Sequence, residues 1–241
     1  MSADPKPQDD ELIIDTSKMS EDKRQAMEVA ESAREKDWVK PSFGSRLFMG
    51  EFAHEMVADF PVQSEEDRKV GDAFIAELEA YLQANLDPEE VDLTRTIPQP
   101  VIDQLFKLGV FAMKVPKEYG GLGFSQVNYN RVMMMLASYC ASTAVLVSAH
   151  QSIGVPQPLK LFGTEEQKKK YFPRFREGTI SAFALTEPGV GSDPSKMITE
   201  AVPSADGKEW VINGEKLWCT NGPIAGLLVV MAKTPPKIVK G

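Results

Sequence analysis

The sequence predicts an α+β chain, an N-terminal all-helical domain followed by an incomplete β-barrel or β-sandwich. Three observations predict it. Between residues 64 and 178 apolar side chains recur at helical spacing, and after Gly178 the pattern changes to short segments rich in strand formers. Those segments number three or four, too few to close a barrel or fill a sandwich. The reading divides the chain into a polar extension (1–40), a helical domain (41–178) and the start of a β domain (179–241).

The first forty residues are dense in charge and hold too few large apolar side chains for a core, although 21–36 have helix-forming content. From Ser64 the signals sharpen. Ser64-Glu65-Glu66-Asp67 has the form of a capping box, and Val70, Phe74, Leu78, Tyr81 and Leu82 form one apolar stripe. Pro98 and Pro100 open a second helix that groups Val101, Ile102, Leu105 and Phe106 and stops at Gly109. A glycine-rich loop, 116–123, follows. Residues 125–154 lack proline and are largely apolar, which predicts two consecutive buried helices, the second capped near Ser142 or Thr143. The Met133-Met134-Met135 run reads as core. Thr164-Glu165-Glu166-Gln167 caps a further helix whose Lys168, Lys169 and Lys170 form a solvated face.

Strands are expected at 180–186, 210–212, 217–220 and 227–232. Asn213-Gly214 between the second and third predicts a two-residue hairpin turn, because both residues tolerate positive φ.

Composition narrows the function. Lys plus Arg number 27 against 35 Asp plus Glu, a formal charge of −8, and no stretch gathers enough positive charge to track a phosphate backbone, so nucleic acid is an unexpected partner. Cys140 and Cys219 stand far apart and only His54 and His150 are available beside them, so reduced thiols and no metal site are expected. The longest apolar run, 225–232, is too short for a transmembrane segment. The first residues match neither a secretory signal nor a mitochondrial presequence, which makes the cytoplasm the expected location, or the mitochondrial matrix if a presequence has been removed.

Two segments have the chemistry of a ligand site. Phe183-Ala184-Leu185-Thr186-Glu187-Pro188-Gly189-Val190-Gly191-Ser192-Asp193 runs from a strand into a turn whose glycines let backbone approach a ligand closely and whose hydroxyls can bond a ring carbonyl or a phosphate oxygen. A plain surface turn has the same composition. In Glu215-Lys216-Leu217-Trp218-Cys219-Thr220-Asn221-Gly222, a strand would point Trp218 and Thr220 to one side, with the indole free to stack on an aromatic cofactor or to pack as a core residue under the hairpin.

Together these segments resemble the flavin-binding signature of the acyl-CoA dehydrogenases. Tyr119-Gly120-Gly121-Leu122-Gly123, Ala149-His150-Gln151-Ser152-Ile153-Gly154 and Leu161-Phe162-Gly163-Thr164-Glu165-Glu166-Gln167-Lys168 are similar to that family's helical domain, in the expected order. Ser42-Phe43-Gly44-Ser45-Arg46-Leu47-Phe48 and Ala201-Val202-Pro203-Ser204 look like its very-long-chain branch, and the likeness runs from about Ser42 to Thr234.

The resemblance implies an FAD-dependent oxidoreductase that converts long-chain acyl-CoA to trans-2-enoyl-CoA in fatty-acid β-oxidation. In the family a carboxylate removes an α-proton while the β-hydrogen leaves as hydride to the flavin. Thr186 would bond the pyrimidine side of the flavin, Trp218 would lie against its ring and Thr220 would reach the region of N5. Backbone of Phe183, Ala184 and Leu185 would line the ring, Gly191 and Cys219 belong to the same cofactor set, and Ser192 would contact both the cofactor phosphates and the CoA of the substrate. The family's base lies in a later helical bundle, so it is expected beyond Gly241, leaving a truncated chain that alone is inactive; Glu187 reads as a turn residue.

Ala144 and Ser148, small and four apart on one helical face, suggest a deep acyl channel in which each buried methylene contributes about 0.8 kcal/mol. Close helix packing also needs small residues, and His150 one step along reads equally well as a hydrogen-bonded interior histidine. An electron-transfer flavoprotein as acceptor and a homo-oligomeric full-length form are further implications. The alternatives are a non-catalytic flavin- or acyl-CoA-binding or assembly module, and a flavin oxidase or monooxygenase on the same fold.

Overall fold

The computed structural model describes residues 42–58 and 62–235, so the expected polar extension, 1–40, lies outside the described residues. Two compact units result, divided after Phe60. In the first, Ser42 caps α1 (Phe43–Phe48) by accepting from Ser45 N, and Arg46 reaches both Glu51 and Glu55, the latter on α2 (Glu55–Ala58).

The second unit begins with α3 (Glu65–Asn85), where Ser64 Oγ accepts from Asp67 N. Only half of the expected capping box forms, because the Asp67 carboxylate faces another helix. It accepts from Gln63 Nε2 at 2.6 Å, Ser125 Oγ at 2.7 Å and Asn128 Nδ2 at 2.9 Å. These bonds hold its carboxyl below the ordinary value, foremost those from Gln63 and Ser125. Of the stripe, Leu78 and Leu82 are buried, while Val70 is exposed.

A helix that the sequence reading missed, α4 (Pro88–Thr94), starts at Asp87, whose carboxylate accepts from Glu89 N and Glu90 N ahead of a proline in the first turn. Next, α5 (Gln99–Leu108) follows expectation: Val101, Leu105 and Phe106 point inward and Gly109 ends it at φ +87°.

Two consecutive helices fill 125–154 as expected, but the break falls earlier than Ser142. α6 (Gln126–Tyr139) is capped by Ser125 and ends at Cys140, whose extended backbone (φ −144°, ψ 105°) also opens α7 (Ala141–Ser148). Thr143 does not cap, since its hydroxyl turns inward to Cys140 Sγ at 3.2 Å. Met133 and Met135 pack against the core, whereas Met134 is exposed, so the methionine run is core only in part. One wide π-type turn (Ala149–Ile153) leads to α8 (Pro156–Phe162), also unpredicted. At α9 (Glu165–Tyr171) the capping box of Thr164 and Gln167 is complete. Lys168 there pairs with Glu165 at 3.0 Å.

Strands follow the helices. β1 (Ser181–Ala184) pairs in parallel with β4 (Leu227–Val230), and β2 (Glu200–Pro203) pairs antiparallel with β3 (Trp210–Asn213). Among the described residues these make two two-stranded sheets and no closed barrel. The expected hairpin at Asn213-Gly214 does not exist: β3 pairs backward with β2, a strand the reading omitted, and 217–220 form no strand. Asn213 does not have positive φ, and Gly214 is a glycine for a different reason. A Cβ there would stand 2.2 Å from Thr199 Oγ1.

A buried histidine joins the helices to β1. His150 donates from Nε2 to Phe111 O at 2.8 Å, and its Nδ1 accepts from Ser181 N at 3.0 Å and the Ser181 hydroxyl at 2.8 Å. Burial pushes the imidazole down to about 4, against a smaller opposing effect of the Phe111 bond, so it stays neutral at ordinary pH. It is the interior histidine that the sequence reading allowed.

The α3–α6 contact depends on a missing side chain. At Gly71 a Cβ would approach Asn128 Oδ1 to 2.0 Å, and Asn128 is fully buried and held by Asp67, so it cannot swing away. Gly71→Ala is expected to destabilise the chain by about 1–3 kcal/mol, read as a lowered Tm in circular dichroism; an unchanged or raised Tm would show that Asn128 can move.

Candidate functional site

β1 is buried on both sides of its pleat, and its continuation, 185–193, emerges at the surface. Three backbone carbonyls at the exit are engaged from the far end of the chain. Ala184 O accepts from Met231 N at 3.0 Å, Leu185 O from Lys216 Nζ at 3.0 Å and Thr186 O from Leu217 N at 2.8 Å. The last bond brings together the two segments singled out from the sequence.

Glu187 locks this junction. Expected as a turn residue, it does open the turn closed with Val190, but the residue is only 2% exposed. No residue near Glu187 in the sequence signals this burial, since its partners Ile198, Thr199 and Lys216 are distant. Its carboxylate accepts from Ile198 N at 2.5 Å, Thr199 N at 2.9 Å and Lys216 Nζ at 2.8 Å. Burial alone would raise its carboxyl; the Ile198 amide, Lys216 and the Thr199 donors outweigh that and bring it down to about 2. Outside the lock the turn is open. Gly189 adopts φ +89°, nothing lies within 4 Å of where a Cβ on Gly189 or Gly191 would sit, and Gly191 and Ser192 are exposed.

The second segment differs from expectation. Trp218 and Thr220 do not share a strand face, because 217–220 is a tight turn: Trp218 takes the left-handed conformation at φ 56°, and Thr220 N bonds back to Trp218 O at 2.9 Å. Nor is Trp218 a core residue, since it is 85% exposed. A bulky residue held at positive φ is strained by about 1–3 kcal/mol, and such strain persists only where surrounding bonds impose it. Leu217 N to Thr186 O imposes it before the tryptophan, and after it Asn221, also left-handed at φ 67°, donates from Nδ2 to Leu146 O on α7 at 2.9 Å. Cys219 is half-buried and, like buried Cys140, is a free thiol. Phe183, Leu185 and Thr186 are half-buried and Ala184 is buried, so the cofactor residues nominated from sequence cluster around one exit from β1.

Ala144 and Ser148 lie elsewhere. Ala144 is buried in the helical core, and half-buried Ser148 faces Ser152, 3.4 Å from its hydroxyl. A cavity of about 510 Å³ instead meets α7 at Ser142 and Leu146, on a different side of the helix, with Ile102 and Ile224 among its other walls. That face has the same four-residue spacing, so spacing alone could not choose between the two.

Comparison with known proteins gives a consistent result. Residues 64–179 match the family described as acyl-CoA dehydrogenase, N-terminal domain, and residues 182–240 match acyl-CoA dehydrogenase, middle domain. A probable acyl-CoA dehydrogenase of Mycobacterium tuberculosis is 48% identical over 211 residues, 88% of this chain and 32% of the relative. The human mitochondrial very long-chain specific acyl-CoA dehydrogenase is 36% identical over 196 residues, 80% of this chain and 30% of the relative. The chain thus spans about a third of the length of these curated relatives. Among solved structures, an acyl-CoA dehydrogenase complexed with FAD from Bacillus anthracis superposes with a TM-score of 0.62 at 34% identity, covering 72% of this chain and 30% of that one.

The lock has a pH signature. Because the folded value for Glu187 is depressed, its ionised carboxylate contributes stability that is complete above about pH 4.5 and is lost as pH falls through about 2. Glu187→Gln is expected to melt lower than the parent at neutral pH and to lose less stability across that acid range. Parallel Tm-against-pH curves for the two chains would exclude the lock.

Proposed function

The chain belongs to the acyl-CoA dehydrogenase family, and from that premise we propose that it serves the FAD-dependent α,β-dehydrogenation of long-chain acyl-CoA to trans-2-enoyl-CoA. One observation supports the reading above others: the Leu217–Thr186 backbone bond sets an exposed, conformationally forced tryptophan beside the open turn that follows β1. These residues fit a flat, phosphate-bearing cofactor. The indole lies outside the core, Ser192 and Thr220 are exposed, and the glycines leave backbone uncovered.

In this reading Thr186 and Thr220 bond the flavin ring, Trp218 stacks on it, and Phe183, Ala184, Leu185 and Cys219 supply the surrounding wall. Gly191 and Ser192 hold phosphate oxygens, with Ser192 shared by the CoA of the substrate. Bound FAD supplies the two-electron acceptor; the chain supplies binding and orientation. The acyl group runs toward α7, where Ala144 and Ser148 are its assigned neighbours. We assign the proton-abstracting base to none of the 241 residues. Glu187 is unsuited, since a carboxylate at about 2 whose oxygens accept from two amides and a lysine is a weak base with no free face. The division between helical and β parts near residue 178, a cytoplasmic location, a homo-oligomer and an electron-transfer flavoprotein as acceptor belong to the same reading. No helix among the described residues is long and apolar enough to cross a membrane.

Without an assigned base, a second reading stands beside the first: a flavin- or acyl-CoA-binding module without turnover. A visible spectrum of the chain with FAD, followed by anaerobic palmitoyl-CoA, tests the cofactor and base assignments that both readings share. Bound flavin that stays oxidised is expected of these 241 residues alone; bleaching would place a base among them, and no bound flavin would contradict the cofactor assignment for this chain. Trp218→Ala is expected to weaken FAD binding by about 1 kcal/mol or more, at least about fivefold. Unchanged affinity would remove the indole from the site.

A further inference from the structure

A hollow of about 330 Å³ opens on the helical part, lined by Lys114, Pro116, Lys117, Glu118, Gly123, Phe124 and Lys160. None of these is among the residues assigned to flavin or acyl-CoA. Three lysines from separate places in the chain, the segment after Met113, the loop at 117 and α8, line it, in a protein whose net charge is −8. Among the described residues none of the three lysines takes part in an ion pair, although eight such contacts occur elsewhere.

The walls are held rigidly. The loop is closed by Leu122 N to Ala112 O at 3.0 Å, Gly123 N to Val115 O at 2.9 Å and Phe124 N to Met113 O at 2.8 Å. Gly121 packs directly on the Val115 backbone, where a Cβ would come within 2.1 Å of Val115 O. Gly123, at φ +59°, leaves the space over which the Lys117 stem lies, since a Cβ there would stand 2.9 Å from Lys117 Cγ. Lys114 rests its ammonium over the Tyr129 ring, 5.0 Å from the centroid, and its amide points to the buried Gln151 side chain at 3.4 Å. Lys114 is thus half-buried and its side chain held in place, whereas Lys117 and Lys160 reach the hollow from the exposed surface.

We propose that this hollow is an anion site, taking a small molecule that carries a phosphate or diphosphate group. The volume exceeds the roughly 30 Å³ share of one water by an order of magnitude, which suits a phosphate ester better than a halide. Lone Glu118 leaves the lining with two uncompensated positive charges, and a doubly charged phosphate removes the repulsion between neighbouring ammonium groups. That repulsion is felt at Lys114, which partial burial and then the charge of Lys160 push below the ordinary lysine value.

Calorimetric titration of the whole chain with inorganic pyrophosphate at constant ionic strength tests the site. One equivalent is expected to bind. The double variant Lys114→Gln, Lys160→Gln and the single variant Lys117→Gln, checked for an unchanged Tm, are expected to bind at least about tenfold more weakly, near 1.4 kcal/mol. Lys208→Gln, which removes a charge from the turn between β2 and β3, is expected to bind as the parent does. Absence of heat at millimolar pyrophosphate would overturn the proposal, as would an equal loss in Lys208→Gln, which would mark the binding as general charge attraction.

Discussion

Glu187 and Lys216 meet at 2.8 Å in a place from which water is nearly excluded, and three stretches of backbone converge on them. A buried ion pair is a poor source of stability when its charges are otherwise unsatisfied, because desolvation offsets the attraction. Here further hydrogen bonds offset that cost. The carboxylate takes amides from Ile198 and Thr199, and the ammonium also reaches Leu185 O. The pair therefore sets geometry more than it adds stability. It fixes the exit of β1, the approach to β2 and the residues before Trp218 as one set, so a shift in one must displace the others.

A second polar joint ties that set to the helices. His150 stands between Phe111 and Ser181 with both ring nitrogens engaged, and Asn221 reaches Leu146 on α7 from the turn that holds Trp218. With Val155 N donating to Ser181 Oγ at 3.1 Å, these directional contacts specify how β1 sits on the helical core where apolar packing alone would permit sliding. The consequence for function is that the turns around residues 186–192 and 218–220 inherit the rigidity of a packed domain while remaining at the surface. Exposed loops on a fixed base are the usual place for binding residues.

Much of this was legible in the sequence, for identifiable reasons. Helices with local signals, the Thr164–Gln167 box and the Gly109 stop, could be read because cap and partner lie within four residues. The β part was harder. Asn213-Gly214 carries a strong local turn signal, yet its glycine answers to Thr199, a contact with no trace in adjacent residues. Trp218 looked like a strand residue by type, but the bond from Leu217 N to Thr186 O and that from Asn221 to Leu146 O flank it in a left-handed turn. Glu187 could be read as a turn residue but not as a buried one, because its lysine partner lies 29 residues away. On α7 both Ala144/Ser148 and Ser142/Leu146 have the spacing of a helical face, and tertiary packing alone decides which one meets the cavity. The nominated flavin residues came from the family resemblance, and the strand face assumed for Trp218 and Thr220 is replaced by a turn.

The most direct test of the account is to make Trp218 the sole tryptophan, through Trp38→Phe and Trp210→Phe, and to follow its emission as FAD is added. If the turn held by Leu217 and Asn221 faces the flavin, emission falls in proportion to flavin bound and saturates at one equivalent. Flavin that binds, by equilibrium dialysis, while Trp218 emission stays unchanged would contradict it.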